Sequence, residues 1–192
     1  MSAQPIESTG VRVDLCTRRE GLLSRVGHDL RFRARAIHLT LGDDGALRVV
    51  IPADAIGVVA VRTPGGDDTA RPSASDRATI EKHLRDDVLA ARQHPEVTAT
   101  GTVHATASGV RFDGALTLRG TQRPVRLSLA PTAHGALAGT HTLSTTAFGI
   151  PPFRAMMGAL RVADDVVVEV TVDATAAERL AAALAVAPGQ GS

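Results

Sequence analysis

The chain has 192 residues, 44% hydrophobic and 21% charged, with a formal net charge of +1, which describes one domain with a full core and excludes a disordered chain. Lys82 is the only lysine, the arginines are dispersed, and an aromatic fraction of 2% (Phe32, Phe112, Phe148 and Phe153) leaves little to stack on bases or sugar rings, which argues against nucleic acid and carbohydrate partners. Cys16 has no second cysteine to pair with, no apolar run reaches the ~18 residues of a spanning helix, and "MSAQPIESTG" lacks the pattern of a secretory signal, so a cytoplasmic protein without stable membrane insertion is expected.

Residues 1–10 are read as a flexible N-terminus and "VRVDLCT" as the first strand, with Val11, Val13 and Leu15 on one face. In "RVGHDLRFRARAIHLTL" the turn Gly27-His28-Asp29 launches a long strand. Its apolar phase, Leu30, Phe32 and Ala34, switches near Ala36 to Ile37, Leu39 and Leu41, which predicts a β-bulge there. "SASDRATIEKHLRDDVLAARQHPE" predicts a helix at about 76–93: Ile80, Leu84, Val88 and Ala91 recur at helical spacing, Ser73 with Asp76 resembles a capping box, and Pro95 closes the segment. "EVTATGTVHATA" sets Val97, Ala99, Gly101 and Val103 against a threonine face. "GVRFDGALTLRG", "RPVRLSLAP" and "DVVVEVTVDA" then place Val110, Phe112, Leu116, Leu118, Val125, Leu127, Leu129, Val166, Val168, Val170 and Val172 inward. "ATAAERLAAALAVAPG" predicts a C-terminal helix and tail over 175–192. Asp44-Gly45, Ser108-Gly109 and His134-Gly135 mark hairpins. The expected fold is therefore all-β with accessory helices: an up-and-down antiparallel barrel of about eight strands with one inserted helix, a two-sheet sandwich being the alternative.

Four segments in this order resemble the YceI-like family of lipocalin-like, polyisoprenoid-binding proteins: "REGLLSRVGHDLRF", "HLRDDVLAARQHPEVTATG", "GALTLRGTQRPVRLSL", and "TTAFGIPP" followed by "GALRVADDVVVEVTVDA". The third is the most specific, with Gly114, Leu116, Thr117, Gly120, Arg123, Pro124 and Val125 matching the family's hairpin. His94 stands where family members often carry an aromatic residue. The resemblance implies an extended eight-stranded antiparallel lipocalin-like barrel over residues 11–174 with a helix across one mouth, and long apolar ligands such as isoprenoid quinones or polyprenyl lipids.

The expected ligand-binding walls are Leu30, Phe32, Val97, Val103, Phe112, Leu116, Leu118, Val125, Leu127, Val166, Val168 and Val170. The loop "FGIPPFRAMMGAL" adds Phe148, Ile150, Phe153, Met156 and Met157, read either as a mobile rim that admits an apolar tail or as a plug for the barrel end or a homodimer contact. His28 and Asp29 would diverge on a strand, which argues for a turn rather than a catalytic dyad. His38, His104 and His141 are read as outer-face residues without metal-ligand spacing, and Cys16 as a packing residue. No catalytic residue, metal or cofactor is assigned. The expected function is non-enzymatic carriage or sequestration of an apolar small molecule or lipid; the alternatives are an enzyme acting on such a molecule and a ligand-free structural or stress-related interaction protein.

Overall fold

Alternating segments become strands almost throughout the computed structural model, which describes residues 4–6, 9–20, 28–42, 44–155 and 160–186. In chain order the strands are β1 (Gln4–Ile6), β2 (Val11–Cys16), β3 (Arg19–Glu20), β4 (Asp29–Ala34), β5 (His38–Leu41), β6 (Ala46–Pro52), β7 (Ile56–Thr63) and β8 (Gly66–Asp68). They continue as β9 (Glu96–Thr106), β10 (Gly109–Leu118), β11 (Thr121–Pro131), β12 (Leu137–Ser144), β13 (Arg154–Ala155), β14 (Leu160–Val162) and β15 (Asp165–Val172). Helix α1 (Ala74–His83) runs on into one wide π-type segment, Leu84–Val88, and helix α2 (Ala174–Val186) follows β15 directly.

Twelve strands form one sheet in the order β1-β5-β6-β9-β10-β11-β12-β15-β2-β4-β7-β8, antiparallel throughout and strongly curled, while β13, β14 and β3 form a small second sheet. Twelve strands stand where eight were expected because two long strands are each broken in two and the short β1 and β8 add an edge at either end. One break, at Ala53–Ala55, is a 3-10 turn between β6 and β7. The other is the segment where a β-bulge was expected. Pairing stops at Ala34 and resumes at His38, and the Arg35 amide donates to the Ala55 carbonyl at 2.8 Å. The break resets the period-two phase, so Phe32 and Ala34 on one side and Ile37 and Leu41 on the other are all buried. The true ladder irregularity lies nearby: Arg31 pairs with Ala60, Phe32 pairs with Val58, and Val59 is skipped.

Two glycines face each other across β9 and β10, Gly101 opposite Gly114. A Cβ on Gly101 would collide with the backbone of Asp113 and Gly114, and one on Gly114 would meet the Thr100 carbonyl and the Phe112 ring. The missing side chains let the neighbouring backbones approach closely at this level. Its far end closes in a two-residue turn, Arg119-Gly120, with φ of 49° and 73°, the left-handed backbone that a tight hairpin of this kind needs.

Helix α1 starts as the sequence pattern predicts: the Ser73 hydroxyl accepts from the Asp76 amide at 3.2 Å and donates to the Asp76 carboxylate at 2.7 Å. Glu81 accepts from the Val58 amide at 3.0 Å and Arg77 donates to the Val58 carbonyl at 2.9 Å, which fastens the helix to β7. Its Ile80, with Leu84 and Val88 beyond it, packs on a core of Phe32, Ile37, Ile51, Val58, Leu118, Leu143, Phe148, Ile150 and Val166. The second helix packs elsewhere. Ala176 and Ala177 are buried with Leu129, Leu137 and Val172, and Leu180 lies against the same group.

An apolar hollow beneath the C-terminal helix

The inward faces of the strands do not fill the curled sheet. A cavity of about 240 Å³ remains, room for roughly eight water-sized or methylene-sized groups at about 30 Å³ each. Along several strands the change from packing to hollow runs in the same sense. Leu118 is core while Leu116, Phe112 and Val110 line the cavity; Val166 is core while Val168, Val170 and Val172 line it; Leu15 packs on the core while Val13 and Val11 reach the cavity. The walls there are built of valine, leucine and alanine, which leave space that larger rings would occupy. Helix α2 covers this end with Ala176, Arg179 and Leu180. It is held in place by its N-terminal cap, where the Asp173 carboxylate accepts from the Ala176 amide at 2.8 Å, and by Arg179, which donates to the Thr9 carbonyl at 3.1 Å.

Of the residues expected to bind a ligand, Val103, Phe112, Leu116, Val125, Leu127, Val168 and Val170 come together on this cavity. Leu30, Phe32, Val97, Leu118 and Val166 belong to the packed core beneath α1 instead. Phe148 and Ile150, 5% and 3% exposed, are also core residues rather than a rim, because the 3-10 turn Thr146–Phe148 folds the loop inward over that end. Phe153 is half-buried with its ring centroid 5.5 Å from that of His83, and Met156 and Met157 lie outside the described residues. Unexpected wall residues include Leu39, Leu41, Leu47 and Val49 of the broken strands, and the α2 residues already named. His141 is the clearest omission. Expected on the outer face, it shares the parity of Leu137 and Leu143 on β12 and lines the cavity. Apart from Arg179 it is the only polar residue among the described residues that does so.

The remaining polar residues serve structure. His28 and Asp29 diverge: the His28 ring meets Arg71 at 3.1 Å, and the Asp29 carboxylate accepts from the Arg19 amide at 2.9 Å. Asp14, on the outer face of β2 yet only 4% exposed, takes Arg33 at 2.6 Å and Arg31 at 3.2 Å. Burial pushes its pKa up, but the bond to Arg33 and the charges of Arg33, Arg31 and Arg12 outweigh it, and the carboxyl ends below its ordinary range. Arg31 also bonds Glu169 at 2.5 Å. Cys16 is buried beside this group, and desolvation raises its thiol to about 11, against any nucleophilic role. Among the described residues no group of three or more His, Cys, Asp or Glu side chains is placed to hold a metal ion. Among the described residues no helix is long and apolar enough to cross a membrane.

A curled antiparallel sheet with this strand order has known counterparts in fold. The YceI-like domain profile matches residues 25–174, and the chain belongs to that family. Helix α2 begins where the match ends. A polyisoprenoid binding domain from Saccharophagus degradans, implicated in plant cell wall breakdown, superposes with a TM-score of 0.57 at 11% identity, covering 88% of this chain and 95% of that one. BcnA from Burkholderia cenocepacia gives 0.53 at 12% identity, covering 87% and 98%. These likenesses define the fold. Among curated proteins, none matches the sequence.

Proposed function

We propose that this protein binds and carries, or sequesters, a long apolar molecule in the hollow beneath α2 without altering it chemically. The observation that carries this reading is the cavity itself, about 240 Å³ with a wall that is apolar except for His141 and Arg179. Polyisoprenoids, isoprenoid quinones and fatty-acyl lipids all fit that chemistry, and a polyisoprenoid binding domain of the same fold supports the first. In this reading residues 11–174 form one domain. Its ring has eight strands, because β4 with β5 and β6 with β7 each count as one long strand and the order then closes on itself.

Burial of hydrocarbon is the driving force. Each methylene withdrawn from water contributes about 0.8 kcal/mol before the cost of ordering the chain. A cavity holding roughly eight such groups buries a segment of about that length, and the remainder of a longer chain would stay in water. Among the described residues the wall holds no carboxylate, hydroxyl or thiol that could work with the His141 imidazole as a catalytic pair, and the buried thiol of Cys16 lies on the outer face.

Native mass spectrometry of gently purified protein, followed by solvent extraction, tests the reading. The expected result is an adduct that extracts as a neutral or weakly polar lipid, or stoichiometric uptake of an added prenyl alcohol by stripped protein. Folded protein that neither retains nor takes up any apolar chain would overturn it.

A further inference from the structure

Within a wall of valine and leucine, one imidazole requires an explanation. His141 faces the cavity from the middle of β12, two residues from the core residue Leu143 and four from Leu137 near α2. It has no hydrogen-bond partner among the described residues, whereas Arg179, the other polar wall residue, is tied to Thr9 at the α2 end. Its position in the sheet is also particular. The ladder between β11 and β12 holds only two registers, Ala130 with Ala138 and Pro131 with Leu137. A Cβ on Gly139 would strike the Ser128 carbonyl, so the two strands are still in contact there; pairing has ended, and His141 is the next inward residue. On its other side β12 stays fully paired, with His141 opposite Val168.

We propose that His141 is the polar anchor of the hollow, and that the molecule carried there has a hydrogen-bonding oxygen, of carbonyl type, on an otherwise apolar body. The proposal rests on the carrier reading and names the chemistry of its ligand. A neutral imidazole offers one N–H donor and one acceptor nitrogen. Water can satisfy them while the cavity is empty. A bare hydrocarbon that displaces this water leaves the imidazole desolvated and unpaired, whereas a ligand with a carbonyl oxygen restores the bond. The hollow therefore discriminates between chains that are equally apolar but differ in one oxygen. At the split between β11 and β12 the head group would be seated in the wall, with the chain running along Val168, Val170 and Leu127.

A pair of matched probes tests this: a medium-chain methyl ketone and the alkene of equal length, each titrated by displacement of a fluorescent fatty probe. Wild-type protein is expected to prefer the ketone by about tenfold, the scale of one net hydrogen bond. In His141→Leu that preference should vanish through weaker ketone binding, and in His141→Gln, which keeps a donor, it should persist. An unchanged preference in His141→Leu overturns the proposal. Equal affinity of the two probes for wild-type protein also overturns it, needs no variant to fold, and leaves the carrier reading standing. Binding of neither probe overturns both.

Discussion

The two ends of the curled sheet are built from the same strands and behave differently. Beneath α1, the side chains Phe32, Leu118, Phe148 and Ile150 meet at the centre, and the 3-10 turn that delivers Phe148 adds volume that no strand supplies. Beneath α2, the inward residues are mostly valine and leucine, and the covering helix contributes small or single side chains, Ala176, Ala177 and Leu180, with Leu184 further along near Gly45. The contrast lies in side-chain volume. One end has enough of it to reach native packing density, and the other lacks it. Stability therefore belongs mainly to the α1 end, and the proposed binding to the α2 end.

Truncation should expose this division most strongly. Phe148→Ala removes a 5% exposed ring from the packed end and is expected to cost about 3–5 kcal/mol, read as a shift in the urea midpoint. Leu127→Ala, at the wall of the hollow, should cost only about 1 kcal/mol, because its side chain already borders empty space and forfeits fewer contacts. Equal losses at both sites would erase the contrast. Enlargement should sharpen it with smaller effects. Leu118→Trp overpacks the core and should destabilise by about 1–3 kcal/mol. Val103→Trp should leave the urea midpoint nearly unchanged while abolishing uptake of a prenyl alcohol, since the indole enters the cavity. Undiminished uptake by folded Val103→Trp would show that the cavity is not the site of binding.

Much of the scaffold was legible in the sequence. Period-two alternation in "VRVDLCT", "RPVRLSLAP" and "DVVVEVTVDA" names the inward faces that β2, β11 and β15 adopt. Ser73 and Asp76 mark the start of α1. The family was legible as well, through short motifs spread over most of the matched length. What alternation cannot convey is depth along the barrel. Leu116 and Leu118 have the same parity and the same chemistry, yet one lines the hollow and the other the core, because that depends on what arrives from outside the sheet. Phe148 and Ile150 arrive by an aperiodic turn, so their inward direction left no pattern to read. His141 was missed for another reason. "LAGTHTLS" is threonine-rich and has glycine at an inward position, so its apolar face reduces to Leu137 and Leu143, too sparse to reveal that the histidine between them shares their side of the sheet.

The smallest expected effect concerns how the packed end is fastened. Asp164, just before β15, accepts from the Ser144 hydroxyl at 2.5 Å, the Thr145 hydroxyl at 2.8 Å, and the Thr146 amide and hydroxyl at 2.7 and 2.9 Å. These bonds hold the turn that carries Phe148 into the core. The Ser144 hydroxyl foremost, with the Thr146 amide and the two threonine hydroxyls, holds the carboxyl well below its ordinary value of 3.8. A carboxyl whose folded pKa is depressed contributes stability that is complete above its unfolded pKa and is lost as pH falls toward the folded one. Wild-type stability should thus decline between about pH 5 and pH 3, part of that decline belonging to this residue. In Asp164→Asn the neutral amide makes weaker bonds at every pH and has no proton to gain, so stability is lower near neutrality and the acid slope flatter. Urea midpoints across that range decide it: a slope unchanged by the substitution would mean that the turn is held by the packing of Phe148 alone. The hollow end provides the internal control, for the same titration read through binding of a prenyl alcohol should be insensitive to Asp164 as long as the protein stays folded.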